Sequence, residues 1–115
     1  MESESEQAER LYNEGKYSEV IELAQAIDEK LGRYSVEEKW AIRIIQCQLN
    51  IGDYQAAGES LDASLIRFKN SIGLRRLGSE VRRFNGDDDG SDKLLSEIET
   101  LASRNSWRYK DPANQ

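Results

Sequence analysis

The sequence predicts an all-α protein built from three helical hairpins, and two observations predict this fold class. Glycine turns recur along the 115 residues at Gly15, Gly52 and Gly86, and the spacings are 37 and 34 residues. Between the turns, apolar residues recur at steps of three and four, which is the spacing of one face of an α-helix. A period in the thirties with one glycine turn per unit is typical of stacked helical hairpins. We therefore expect six helices.

The first unit spans about residues 2–34. A weak apolar stripe from Glu4 to Glu14 precedes the turn at Gly15, and a stronger stripe follows and ends near Leu31. Glycine tolerates the left-handed backbone angles that end one helix and allow the next to fold back. The pattern therefore predicts a helix on each side of Gly15.

The second unit spans about residues 35–70. The segment Ser35-Val36-Glu37-Glu38 matches a capping box, in which the serine and the glutamate three residues later bond free amides at a helix start. The helix that follows is apolar around more than half of its circumference, as expected for a helix packed on both sides. After the turn at Gly52, another stripe begins at Tyr54. We expect Tyr54, like Tyr17, to pack between the helices of its own hairpin.

The third unit spans about residues 71–105. Ser71 is a candidate cap for a fifth helix, in which Gly78 would let a neighbouring helix approach closely. The segment Asn85-Gly86-Asp87-Asp88-Asp89-Gly90 predicts an extended turn, followed by a sixth helix capped by Ser91 or Asp92. We expect residues 104–115 to be irregular, with 106–115 forming a polar tail or linker.

Composition excludes several kinds of site. The chain has no histidine and one cysteine, so the usual zinc ligand sets and an internal disulfide are excluded. Asn85, Asp87, Asp89 and Gly90 imitate the first half of a calcium-binding loop, but Ser96 stands where a glutamate is needed. We expect a solvated turn there, with a weak cation site as the alternative. No metal or cofactor is predicted.

Charge is distributed unevenly along the chain, whose net charge is −6. Residues 1–38 carry 11 acidic and 4 basic side chains, residues 39–86 carry 4 and 8, and residues 87–115 carry 7 and 4. Strong nucleic-acid binders tend to be basic overall, so nucleic acid is not an expected ligand. The acidic start and the lack of a long apolar run predict a protein without a membrane segment, located in the cytoplasm.

Two turn segments resemble the middle turn of the tetratricopeptide repeat, glycine-x-tyrosine-x-x-alanine. They are Gly15-Lys16-Tyr17-Ser18-Glu19-Val20 and Gly52-Asp53-Tyr54-Gln55-Ala56-Ala57, with valine replacing alanine in the first. Ala8 and Ile45 lie seven residues before the two glycines, where the family has a small residue, and Leu77-Gly78 matches the family's leucine-glycine pair. The resemblance covers roughly residues 2–105, although the third unit lacks the turn tyrosine.

This resemblance implies a right-handed superhelix of antiparallel helix pairs, a TPR-like α-α solenoid of six helices. Its first helices would line a concave groove that receives an extended peptide or a partner helix. Members that bind acidic chain termini use lysine and asparagine on the first helix, where this chain has Ser5 and Glu9. We therefore do not expect that particular clamp.

A different polar groove is predicted from residues spaced by three and four on the third and fifth helices. If these helices are adjacent, their arginines can pair with carboxylates of an acidic peptide. The alternative is that these side chains form a solvated face whose positive charges pair with the acidic side chains of the first hairpin. The predicted partner-binding residues are Asn13, Lys39, Arg43, Gln46, Asn50, Arg75, Arg76, Ser79, Arg82 and Arg83.

Two classes of function fit these patterns. The first is a protein-interaction module that binds a protein or peptide partner and has no catalytic activity. The second is a regulatory or assembly domain at the N-terminus of a larger polypeptide, including an enzymatic one. No nucleophile motif or glycine-rich phosphate loop is present, so an enzyme is not predicted. We expect a monomer, or a weak dimer formed through the uncapped last repeat.

Overall fold

The computed structural model describes residues 2–31 and 38–109. This part of the chain consists of six α-helices and contains no strand, so the predictions of an all-α fold and of six helices are confirmed. The helices are α1 (Glu4–Asn13), α2 (Tyr17–Leu31), α3 (Glu38–Asn50), α4 (Tyr54–Arg67), α5 (Ile72–Phe84) and α6 (Asp88–Tyr109). Residues 35–37 of the predicted capping box lie outside the described residues.

The three glycine turns have the same backbone structure. In each, the glycine has a positive φ of 78–81° and its amide donates to the carbonyl three residues earlier. The next residue's amide donates to the carbonyl five residues earlier, which completes the Schellman motif that ends many helices. That same residue then accepts the first hydrogen bond of the following helix. The predicted repeat of glycine turns is therefore confirmed at the level of individual hydrogen bonds.

The third turn is not extended, contrary to the sequence prediction. Helix α6 begins at Asp88, before the predicted caps Ser91 and Asp92. The reason is Asp87, whose side chain accepts a hydrogen bond from the Gly90 amide at 2.9 Å and so caps the helix. Acidic residues in the first turn also suit the positive end of the helix dipole.

Helix α6 continues to Tyr109, so the prediction that residues 104–109 are irregular is wrong. No glycine or proline interrupts this segment, and the single proline of the chain is Pro112. A helix already formed adds each further residue at little cost, because every added residue gains one hydrogen bond. No helix in the described part of the chain is long and apolar enough to cross a membrane.

Each helix packs against the next along the chain, and α3 also contacts α5. Trp40 at the start of α3 packs against Ala8, Ala24 and Ile27 of the first two helices, so it joins the first unit to the second. Gly78 lies where a Cβ would approach the Cδ1 atoms of two leucines at 2.9 and 3.0 Å, so its predicted close contact is also confirmed. The central core consists of Ile45, Ala57, Leu61, Leu74, Val81 and Leu94.

Candidate partner-binding groove

Two adjoining cavities lie along the contact between α3 and α5. One, of about 330 Å³, is lined by Ile42, Gln46, Gly73, Arg76, Leu77 and Glu80. The other, of about 320 Å³, is lined by Tyr12, Gln46, Leu49, Asn50, Leu77, Glu80 and Phe84. Because Gln46, Leu77 and Glu80 belong to both, the cavities form one channel, which we call the seam groove. Its walls come from α1, α3 and α5, the first helix of each predicted pair.

The seam groove joins an apolar floor to polar edges. Ile42, Leu49 and Leu77 are half-buried and pack against the central core from the groove side. Phe84 is 54% exposed at the end where α5 stops. A groove with accessible apolar side chains and a few polar groups is the usual form of a binding site.

The four arginines of α5 lie on two different faces. Arg75 donates to Glu97 at 3.0 Å and Arg82 donates to Asp62 at 2.6 Å, so both point toward α4 and α6. Arg76 and Arg83 are exposed, and their guanidinium groups have no hydrogen-bond or ion-pair partner among the described residues. Of these arginines, Arg76 lines the seam groove directly.

Arg83 lies on the same exposed side of α5 as Arg76, next to the seam groove, although it lines neither of the two cavities. It lies three residues before its turn glycine, as do Tyr12 and Leu49, and both of those line the groove. Since the three turns are alike, the three residues occupy equivalent positions. The structure therefore brings Arg76 and Arg83 to one side of α5 and separates them from Arg75 and Arg82.

Arg43 is already satisfied by groups of its own chain. Its guanidinium lies 4.0 Å from the centre of the Tyr12 ring and forms an ion pair with Glu9 of α1. It also donates to the Gln46 side chain at 3.3 Å. This arrangement matches the alternative in which a predicted site arginine pairs with an acidic side chain of the first hairpin. It ties α1 to α3 and leaves Arg43 23% exposed.

The remaining predicted site residues are distributed along the edges. Asn50 lies in the groove, and Asn13, exposed, has the equivalent position in α1, two residues before its turn glycine. Lys39 is exposed and lies 5.5 Å from the centre of the Trp40 ring. Ser79 is buried, donates to the Arg76 carbonyl at 2.8 Å and does not line the groove.

Sequence reasoning missed the aromatic end of the groove. Tyr54 was expected inside its own hairpin, but its ring stacks on Phe84 with centroids 4.7 Å apart and planes 12° apart. Asn85 strengthens this contact by donating to the Tyr54 carbonyl at 2.9 Å. Phe84 itself is half-exposed at this end of the groove. The signal that could have located it is its position two residues before Gly86, equivalent to Asn13 and Asn50.

Other reactive or acidic groups have structural roles. Cys47 is fully buried, and burial raises the pKa of its thiol to about 11, so it remains protonated at neutral pH. Asn85 and Asp87 of the acidic turn bond the backbone, as described above. Within residues 2–31 and 38–109, no group of three or more acidic or cysteine side chains is placed to hold a metal ion.

Comparisons with known proteins add no further assignment. No protein-family model matches the chain, and neither a curated protein nor a solved structure matches it.

Proposed function

We propose that this chain is a tetratricopeptide-like solenoid, a right-handed superhelix of antiparallel helix pairs that acts as a protein-interaction module. Its seam groove binds an extended peptide or a helix of a partner protein. The observation that carries this proposal is the seam groove itself, an open channel with an apolar floor on the helices that come first in each pair.

Three features support the proposal. The identical turns at Gly15, Gly52 and Gly86 favour a repeated unit, and repeated helical hairpins stack into extended binding surfaces. The apolar side chains along the groove remain partly accessible, and burying them against a partner would be favourable. The single thiol is buried and protonated at neutral pH, which argues against it as a nucleophile.

The proposal is tested by blocking the groove with one bulky side chain. Glu80 is exposed and lines both cavities, so Glu80→Trp would fill the channel at its centre. Glu99 is also exposed, but it lies on α6 and outside the groove, so Glu99→Trp is the matched control. Wild-type protein and both variants are immobilised, incubated with host lysate and compared by quantitative mass spectrometry.

We expect a set of proteins that wild type and Glu99→Trp retain and that Glu80→Trp loses. Circular dichroism at 222 nm must show equal helicity in all three proteins, because a folding defect would mimic a blocked groove. Capture of the same proteins by Glu80→Trp and wild type would show that binding occurs elsewhere and would contradict the proposal.

A further inference from the structure

The exposed side of α5 beside the seam groove carries a row of alternating charges, of which Arg76 and Glu80 line the groove and Arg83 lies just outside its lining. Arg76, Glu80 and Arg83 are separated by four and three residues, so they lie within about 60° of one another around the helix. At 1.5 Å per residue, the two arginines are about 10 Å apart along the axis. Glu80 lies between them, and the apolar residues Leu77 and Phe84 lie beside the row, in the groove.

None of these three charges has a partner within the described residues. By contrast, Arg43, Arg75 and Arg82 each have a carboxylate of the chain beside them. The arginines on the packing faces are therefore paired with acids of the chain, whereas Arg76, Glu80 and Arg83 are not paired. Exposed guanidinium groups bind carboxylates through strong, paired hydrogen bonds.

We infer that the natural ligand of the groove is a peptide segment with two acidic residues about 10 Å apart and a non-acidic, apolar residue between them. This inference rests on the proposed function and adds the chemistry of the partner to it. Each arginine binds one acidic side chain, while Glu80 repels a third acid at the centre. The apolar residue of the ligand packs on Leu77 and Phe84.

The spacing defines which sequences fit. In a helical ligand, 10 Å corresponds to acidic residues seven positions apart. In an extended ligand, with about 3.3 Å per residue, it corresponds to acidic residues three positions apart. A uniformly acidic segment fits less well, because its central carboxylate faces Glu80.

The test uses a displayed library of random 16-residue peptides as the probe. Peptides are selected on wild-type protein, and their affinities are then measured for Arg76→Gln/Arg83→Gln. The control is Lys69→Gln/Lys93→Gln, which removes the same charge from two exposed lysines outside the groove. We expect enrichment of the acidic, apolar, acidic pattern, about tenfold weaker binding to the arginine variant, and unchanged binding to the lysine variant.

A third variant tests the central repulsion. Glu80→Gln should bind peptides that carry an acid at the middle position, which wild type discriminates against. The inference is overturned if selected peptides lack the acidic pair, or if they bind the arginine variant as tightly as wild type. If those peptides are still lost with Glu80→Trp, the groove remains the binding site and only its ligand chemistry was wrong. Failure to select any peptide would overturn the proposed function as well.

Discussion

Removing the hydroxyl of Ser91 by the substitution Ser91→Ala is expected to stabilise the protein. This residue is fully buried in the first turns of α6, and its Oγ has no hydrogen-bond partner among residues 2–31 and 38–109. It lies five residues after Gly86, as Val20 and Ala57 lie five residues after their glycines, and those two are equally buried. Two of the three equivalent sites are thus apolar, and the third buries an unpaired polar group.

The magnitude follows from two contributions of the same sign. A buried hydroxyl without a partner costs about 1–3 kcal/mol in proteins, and alanine is favoured over serine inside a helix by about 0.5 kcal/mol. Replacing the hydroxyl group with a hydrogen leaves a small space, which offsets part of this gain. We expect Ser91→Ala to raise the free energy of unfolding by about 1–2 kcal/mol.

The equivalent position in the second pair supplies the reciprocal control. Ala57→Ser introduces a hydroxyl at a site that is also fully buried, and we expect it to lower the free energy of unfolding by a similar amount. Urea unfolding followed by circular dichroism measures both changes, and an unchanged slope shows that the unfolded state is unaffected. A loss of stability in Ser91→Ala would refute the reasoning, because it would mean that the hydroxyl forms a bond in the native protein.

Three further predictions concern a turn, the thiol and the two classes of arginine. Gly52→Ala should lower stability by about 1–2 kcal/mol in urea unfolding, because the residue has a φ of +81°. The Cys47 thiol should resist Ellman's reagent at pH 8 until urea unfolds the protein. The free energy of unfolding should include the full contribution of the protonated thiol below pH 9 and should lose it toward pH 11, because the thiol ionises first in the unfolded chain. Cys47→Ala should not show this loss. Arg75→Gln should destabilise the protein by about 1–3 kcal/mol, since that side chain is 13% exposed and paired with Glu97, whereas Arg76→Gln should change stability by less than about 0.5 kcal/mol. Equal effects of the two arginine substitutions in thermal unfolding would contradict their assignment to different faces.

The elements with strong local causes could be predicted from sequence. Glycine is required for the positive φ at each turn, so the period of the glycines locates the turns of all three hairpins. Apolar spacing then defines the helices between them, because one face of each helix must be buried. The start of α6 was predicted too late, since a run of aspartates resembles a loop although Asp87 acts as a helix cap.

The composition of the groove could be predicted only in part. Periodicity places Arg76 and Arg83 on one face of α5, but it does not say which neighbour covers which face. Adjacent residues on a helix point about 100° apart, so Arg75 and Arg76 reach different surroundings even though both are basic. The contact of Tyr54 with Phe84 joins residues 30 positions apart, and no local pattern encodes it.

The count of basic residues in the middle of the chain overstates the positive charge of the groove. Residues 39–86 contain eight basic side chains, yet Arg43, Arg75 and Arg82 are held beside acids, two of which lie outside that segment. These pairs link α1 to α3 and α5 to both α4 and α6, so the acids of the two ends contribute to packing the middle. What remains along the groove is a short row of alternating charge, with Glu80 between Arg76 and Arg83. A peptide bound along this row would be selected by the position of its acidic residues more than by their number, because each added acid that faces Glu80 would weaken binding.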